Sequence, residues 1–209
     1  MSGLVEVTGP AVEPISRNEA REHLRLDDDV DDSQVRAYIT ASRIWAENYT
    51  GRKFISRTFN QYFDTTSGDL PLKEGFHLGF TGPTQNDYLE LSACPAISVS
   101  AIHSYDDDDN ETLWASSNYY VSTASPVARI VLRDGGTFPT DLRNADGLKV
   151  TYTAGYGTQP NAVPEAIRLA ILQYMAFAYE HRGDYEGSMP TPPSIISTLL
   201  QPYRITRFG

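Results

Sequence analysis

VPEAIRLAILQYMAFAYEHRG, running from Val163 to Gly183, is the stretch that decides the fold. Pro164 suits a first helical turn, Glu165 complements the positive end of a helix, and Gly183 supplies a stop. Between them lie about 20 residues, or roughly 30 Å of helix. On a helical projection Ile167, Ile171, Tyr174 and Ala178 cover one side. Leu169, Leu172, Ala176 and Tyr179 cover the other, interrupted by Glu165, Arg168, Gln173 and Glu180. A helix that is apolar almost all round must be covered almost all round. In a chain of 209 residues it either occupies the centre of its own domain or lends one flank to another copy.

The rest of the chain is consistent with an ordinary folded protein, 40% hydrophobic and 21% charged. Its length allows one large domain or two small ones. No apolar stretch is long and bare enough to cross a bilayer, and the N-terminus lacks the pattern of a signal peptide. The single cysteine, Cys94, excludes an internal disulfide and offers no metal cluster, so a reducing cytoplasm is expected. Net charge is −10, with the longest charge runs at Asp27, Asp28, Asp29, Asp31 and Asp32 and at Asp106, Asp107, Asp108 and Asp109. Tight binding to a phosphate backbone needs the opposite sign. An acidic surface does suit a passage where nucleic acid should slide without sticking.

Outward from the long helix, three further helices and a strand-rich centre emerge. Ser16 and Glu19 form a capping box for a short helix with Ala20, His23 and Leu24 expected inside. Asp31 or Asp32 caps a longer one, whose arc of Val35, Tyr38, Ile39, Ser42, Trp45, Ala46 and Tyr49 opposes Arg36, Thr40, Arg43 and Glu47. Gly51 marks its end, and Ile44 sits on its polar side. From Phe54 to about Gly157 the period changes to two, beginning with Ile55, Phe59 and Phe63 on one face. Further strands are expected at 88–93, 97–105, 119–123, 129–133 and 148–154, separated by Gly, Pro, Asn and Asp clusters. Without crossover helices they form an antiparallel sheet or small sandwich. Beyond Pro190, Pro192 and Pro193, residues 194–200 read as a short helix stopped by Pro202, with a basic and aromatic tail. The fold class is α+β: a discontinuous helical bundle from both ends of the chain (14–52 and 160–204), an inserted antiparallel β module (53–159) and a C-terminal tail (205–209).

No catalytic constellation stands out. There is no Gly-x-Ser-x-Gly elbow, and Cys94 before a proline reads as a small buried side chain. His23, His77, His103 and His181 are scattered without ligand spacing, and His181 suits a helix C-terminus. An EF-hand loop starting at Asp106 would need Gly and Glu where Glu111 and Ser117 stand, so this run reads as an acidic hairpin tip. Gly155-Tyr156-Gly157 follows no βαβ pattern. Neither a cofactor nor a metal is expected, and the chain does not read as an enzyme.

Four stretches resemble the head–tail connector, or adaptor, proteins of long-tailed bacteriophages and related gene-transfer particles. Residues 14–26 look like the opening helix, and the helix ending Glu47-Asn48-Tyr49-Thr50-Gly51-Arg52 looks like the second. Val150-Thr151-Tyr152-Thr153-Ala154-Gly155-Tyr156-Gly157 followed by Val163-Pro164-Glu165-Ala166-Ile167-Arg168 is the most specific passage. Residues 194–204, with Leu199, Leu200, Pro202 and Tyr203, resemble the closing segment. The resemblance implies a structural virion protein that forms a ring, usually twelvefold, beneath the portal. Such a ring extends the DNA channel and docks a stopper or tail component. It further implies Tyr203, Arg204, Ile205, Thr206, Arg207 and Phe208 as portal contacts. Ring neighbours meet through unlike surfaces, for which Leu169, Leu172, Ala176, Tyr179 and Ile44 are candidates. Both acidic runs are candidates for the channel lining, past which genomic DNA moves without specific binding. Localisation follows as the virion neck, after assembly in the bacterial cytoplasm.

Two other readings compete. A β-sandwich ligand- or carbohydrate-binding module would use Tyr62, Trp114, Tyr119 and Tyr120 as an aromatic platform and remain a monomer. A hydrolase would need convergent titratable groups in a pocket.

Overall fold

The structure, a computed structural model, describes residues 2–26, 32–65, 88–183 and 191–205. It is α+β and divides into two compact units, Met1–Gly9 with Arg57–Gly155 and Pro10–Ser56 with Tyr156–Gly209.

The second unit holds the helices α1 (Arg17–Leu24), α2 (Asp32–Thr50), α3 (Glu165–Glu180) and α4 (Ser194–Leu200), with short 3-10 turns at Pro160–Ala162 and Gln201–Tyr203. At the start of α1 the Ser16 hydroxyl accepts the Glu19 N–H at 3.2 Å, and Glu19 accepts the Ser16 N–H at 2.8 Å. The capping box therefore satisfies two donors that the helix cannot. Of its expected inner side, Ala20 is buried and Leu24 half-buried, but His23 is exposed. Gly51 ends α2 in the left-handed region, at φ 71°, donating its N–H to the Glu47 carbonyl. α3 ends at Glu180, earlier than Gly183 suggested, because His181 caps it. The His181 N–H donates to the Phe177 carbonyl, and its ring Nδ1 lies 2.8 Å from the same oxygen.

The helical core is built from Ile167, Ala170, Ile171 and Met175 of α3, which recur at helical spacing, against Val35, Ile39 and Ala46 of α2 and Ile196 and Leu200 of α4. Each large aliphatic side chain removed from water in this way contributes about 1.5–3 kcal/mol. Phe54 and Ile55 join this core. Ile55 was expected to share a strand face with Phe59 and Phe63, but the strand begins only at Arg57. Ile55 instead makes a lone parallel bridge to Gly157.

The first unit is a small sandwich of antiparallel strands. β1 (Ser2–Glu6), β2 (Arg57–Phe63), β4 (Ala96–Tyr105), β5 (Glu111–Leu113) and β8 (Leu148–Ala154) form one sheet in the order β1-β2-β8-β4-β5. β3 (Tyr88–Glu90), β6 (Tyr119–Ser122) and β7 (Arg129–Leu132) form the other, in the order β3-β7-β6. Burial alternates residue by residue along β2 and β8, as one packed face demands. Phe59, Phe63, Ile102, Val150 and Tyr152 from the larger sheet share a core with Leu89, Tyr119 and Ile130 from the smaller. A buried polar clamp sits within it. The Tyr152 hydroxyl donates to Gln61 and accepts the Ala93 N–H, while Gln61 also bonds the Ser92 N–H and the Glu90 carbonyl. Cys94 is a buried thiol beside this clamp's chain segment.

All six expected strands are present, and two more were not anticipated. β1 lies in residues 1–9, which the sequence reading left unassigned. β5 is the return arm of the acidic hairpin and pairs with β4 through His103, Ser104 and Tyr105.

Candidate functional site

Along the flank of α3, Leu169 is 42% exposed, and Leu172, Ala176 and Tyr179 are half-buried. Ile44 on α2 is 45% exposed. Leu172 and Tyr174 touch the helical core with part of their surface and leave the rest in water. Aromatic rings extend this surface: Trp45 stacks on Tyr174 at 4.0 Å and on Tyr49 at 5.5 Å, and Tyr38 meets Tyr179 edge-on at 5.6 Å. The Arg182 guanidinium lies 4.1 Å from the Tyr179 ring centre, a cation–π distance. Gln34, Ala37, Tyr38, Ala41 and Arg182 border an open groove of about 440 Å³. Of the α2 arc, Val35, Ile39, Ser42 and Ala46 are buried, whereas Tyr38, Trp45 and Tyr49 are only half-buried. The ring-on-ring arrangement depends on tertiary contact, which helical period alone does not give.

Two charged side chains placed on the solvent side of α2 are interior. Arg43 is 5% and Glu47 4% exposed. Arg43 Nε donates to Glu13 at 2.6 Å and its Nη1 lies 3.4 Å from Glu47, which in turn accepts the buried Phe54 N–H. The i,i+4 spacing of Arg43 and Glu47 was the legible signal; the Glu13 partner, thirty residues back, was not. Arg168, read as an interruption of α3's apolar surface, bonds the Pro14 carbonyl, Glu165 and Glu19. It thereby joins α3 to the start of α1. Burial opposes ionisation of Glu19, but the Ser16 N–H and hydroxyl and the Arg168 charge outweigh it and hold its carboxyl below the usual range.

The chain's last described residues are engaged with α2. The Tyr203 carbonyl accepts from Arg52, Arg204 lies 5.5 Å from the Tyr49 ring centre, and the Ile205 N–H donates to the Thr50 carbonyl at 2.8 Å. Ile205 is therefore anchored rather than the start of a free tail. Thr206, Arg207 and Phe208 lie outside the described residues.

Of the acidic candidates, Asp27, Asp28, Asp29 and Asp31 also lie outside the described residues, and Asp32 opens α2. Asp106–Asp109 form the turn between β4 and β5. Asp106 accepts the N–H groups of Asp108 and Asn110, and Asp109, at φ 64°, pairs with Arg143. That leaves Asp107 and Asp108 as exposed carboxylates without such duties in the turn's geometry. Below the turn, Lys149 and the Tyr105 hydroxyl both bond Glu111 and hold its carboxyl down at about 2. Among the described residues no three His, Cys, Asp or Glu side chains are grouped to hold a metal.

The aromatic platform of the binding-module reading is not assembled. Trp114 and Tyr119 are buried in the sandwich core, with the Trp114 N–H donating to the Thr137 carbonyl. Their alternation with polar neighbours could not say which face was inner.

Charge divides unevenly. The helical unit carries eleven Lys and Arg against thirteen Asp and Glu, or −2, whereas the β unit carries six against fourteen, or −8.

A family model described as head completion protein matches residues 13–205. Among solved structures, the fold is similar to a chain titled as the neck of an empty GTA particle computed with C6 symmetry, with a TM-score of 0.74, 23% identity, and coverage of 99% of this chain and 97% of that one. It is similar to a chain from the virion of a native gene transfer agent particle, at TM-score 0.73 and 23% identity with the same coverage. A third, from the neck of a native GTA particle computed with C12 symmetry, has a TM-score of 0.69 and 24% identity, again with 99% and 97% covered. No curated protein matches the chain.

Proposed function

The chain belongs to the head completion protein family, and from that premise we propose that it is the adaptor of a head–tail connector, forming a ring under the portal in the virion neck. It is a structural protein, not an enzyme. The ring, twelvefold in this reading, extends the channel for genomic DNA and presents a docking surface to the stopper or tail component. Assembly takes place in the cytoplasm of the bacterial host. The helical unit serves as the adaptor core and the β unit as the inserted module.

One observation carries this reading: the family match spans residues 13–205, and the likeness to a particle-neck chain covers 99% of this chain. Two features support it. The α3 flank at Leu169, Leu172, Ala176 and Tyr179, with Ile44 of α2, retains apolar surface that a neighbouring copy can cover. The β unit's charge of −8 suits a wall past which DNA slides. In this reading Asp107 and Asp108 are the channel-facing carboxylates of the hairpin tip, together with the run at Asp27–Asp32. Residues Tyr203 to Phe208 contact the portal, the first three held against the end of α2.

Mixing the purified chain with its cognate portal and imaging the product by electron microscopy tests the proposal. A collar of density on one portal face is expected. A portal ring that remains bare at saturating adaptor would refute it.

A further inference from the structure

β1 is a strand that buries nothing. Every residue from Gly3 to Gly9 is exposed, and Leu4, Val5 and Val7 are 40%, 52% and 52% open to solvent. It is held by its ladder to β2 alone, and among the described residues nothing pairs with its outer edge. Natural edge strands are normally guarded by Lys, Pro, bulges or a covering loop. Ser2–Glu6 has none of the first three, and its one charge, Glu6, is drawn to Arg57 of the neighbouring strand. Three branched aliphatic side chains on an unguarded edge are the composition of a strand that pairs on both sides.

The opposite end of the same sheet is open as well. β5 covers only His103, Ser104 and Tyr105 of β4, leaving the outer edge of residues 96–101 unpaired among the described residues; the register on β8 shifts at Ile97 and Ser100, and Ile97 is 48% exposed. A cyclic ring needs two different surfaces that fit each other, one on each side of the subunit. The five-stranded sheet carries two unlike open ends of nearly equal length.

We infer that β1 of one copy adds to the β4 edge of the next, at residues 96–101, so that the larger sheet continues from subunit to subunit. The occupant is a second copy of this chain, and the inference rests on the ring reading above. Strand addition obtains affinity from main-chain hydrogen bonds and register from the alternating side chains, here Val5 and Val7 on one face of the strand and Leu4 on the other. The ladder also says which groups do the pairing. The Val7 N–H donates to Thr58 of β2, so with a period of two the Leu4 and Glu6 N–H groups face outward.

Leu4→Pro removes one outward donor and leaves the inward ladder intact, and Ile97→Lys places a guard on the receiving edge. Circular dichroism checks that both variants fold, and ring assembly on the cognate portal is measured for each beside the native chain. Either variant should lower ring yield by about tenfold or more, the scale of one lost hydrogen bond per interface repeated around a ring. In the native ring, amide exchange across residues 2–7 should slow by a similar factor relative to the free chain. Full assembly by Leu4→Pro, or unchanged exchange of residues 2–7 in a native ring, overturns the pairing while leaving the ring reading standing. Full assembly by Ile97→Lys overturns the assignment of the receiving edge. If the native chain forms no ring on the portal, the ring reading falls and this pairing falls with it.

Discussion

Glu47 shows how much one side chain can hold. It faces Arg43 and accepts the buried Phe54 N–H just past the end of α2, all with 4% of its surface exposed. Removing Glu47 leaves Arg43 to Glu13 alone and strands the buried Phe54 N–H, an unsatisfied donor that costs about 1–3 kcal/mol. Glu47→Ala should therefore lower the unfolding free energy of the helical unit by that amount. Trp45 fluorescence in a Trp114→Phe background reads that unit alone, and a loss under about 1 kcal/mol would show the pair is not interior. Glu111 makes a different prediction, in pH. Lys149 and Tyr105 depress its carboxyl from 4.5 to about 2. As pH falls from 4.5, the unfolded chain takes up the proton first, so the stabilisation is complete above 4.5 and disappears towards 2. Glu111→Gln should be less stable than the native chain at pH 6 and converge with it near pH 2 in thermal melts. A constant gap across that range would contradict the assignment.

At the scale of elements, α3 was legible because its length, its Pro164 start and its apolar content need no partner to be seen. Which apolar side is inner was not legible. Ile167, Ala170, Ile171 and Met175 are buried because α2 and α4 pack there, while Leu169, equally apolar, is left half in water. Hydrophobic character is a property of the residue, and burial is a property of its neighbours. Leu169→Asp tests the role given to that flank. Folding should change by less than about 0.5 kcal/mol, as for other surface sites, while ring assembly on the portal fails. Normal rings from this variant would remove the flank from the interface. β1 and β5 escaped notice for a related reason. Neither strand contributes a side chain to the shared core, so neither shows the apolar alternation that marks even the three-residue β3 through Leu89.

At the scale of the whole molecule, the chain's two ends meet different fates. The first nine residues belong to the β unit, and the described end at Ile205 is bonded to the last turn of α2. A chain ending at Ile205 should keep its thermal midpoint and lose most of its attachment to the portal, measured by co-sedimentation. A chain ending before Pro202 should lose stability as well, because the Arg52–Tyr203 and Thr50–Ile205 hydrogen bonds go with it. Undiminished attachment of the 1–205 chain would reject the tail as the portal contact.

From the sequence by itself came the α+β class, the helix caps at Ser16 and Gly51, six strands of the sandwich and the family likeness. These follow from local rules, because a cap, a period or a turn is satisfied by residues a few positions apart. Only the tertiary structure decided that Arg43 and Glu47 lie inside, that Trp114 and Tyr119 are core and not a platform, and that β1 stands at an open sheet edge. Each of those depends on partners thirty residues or more away, or on a face chosen by packing, and no local pattern carries that information.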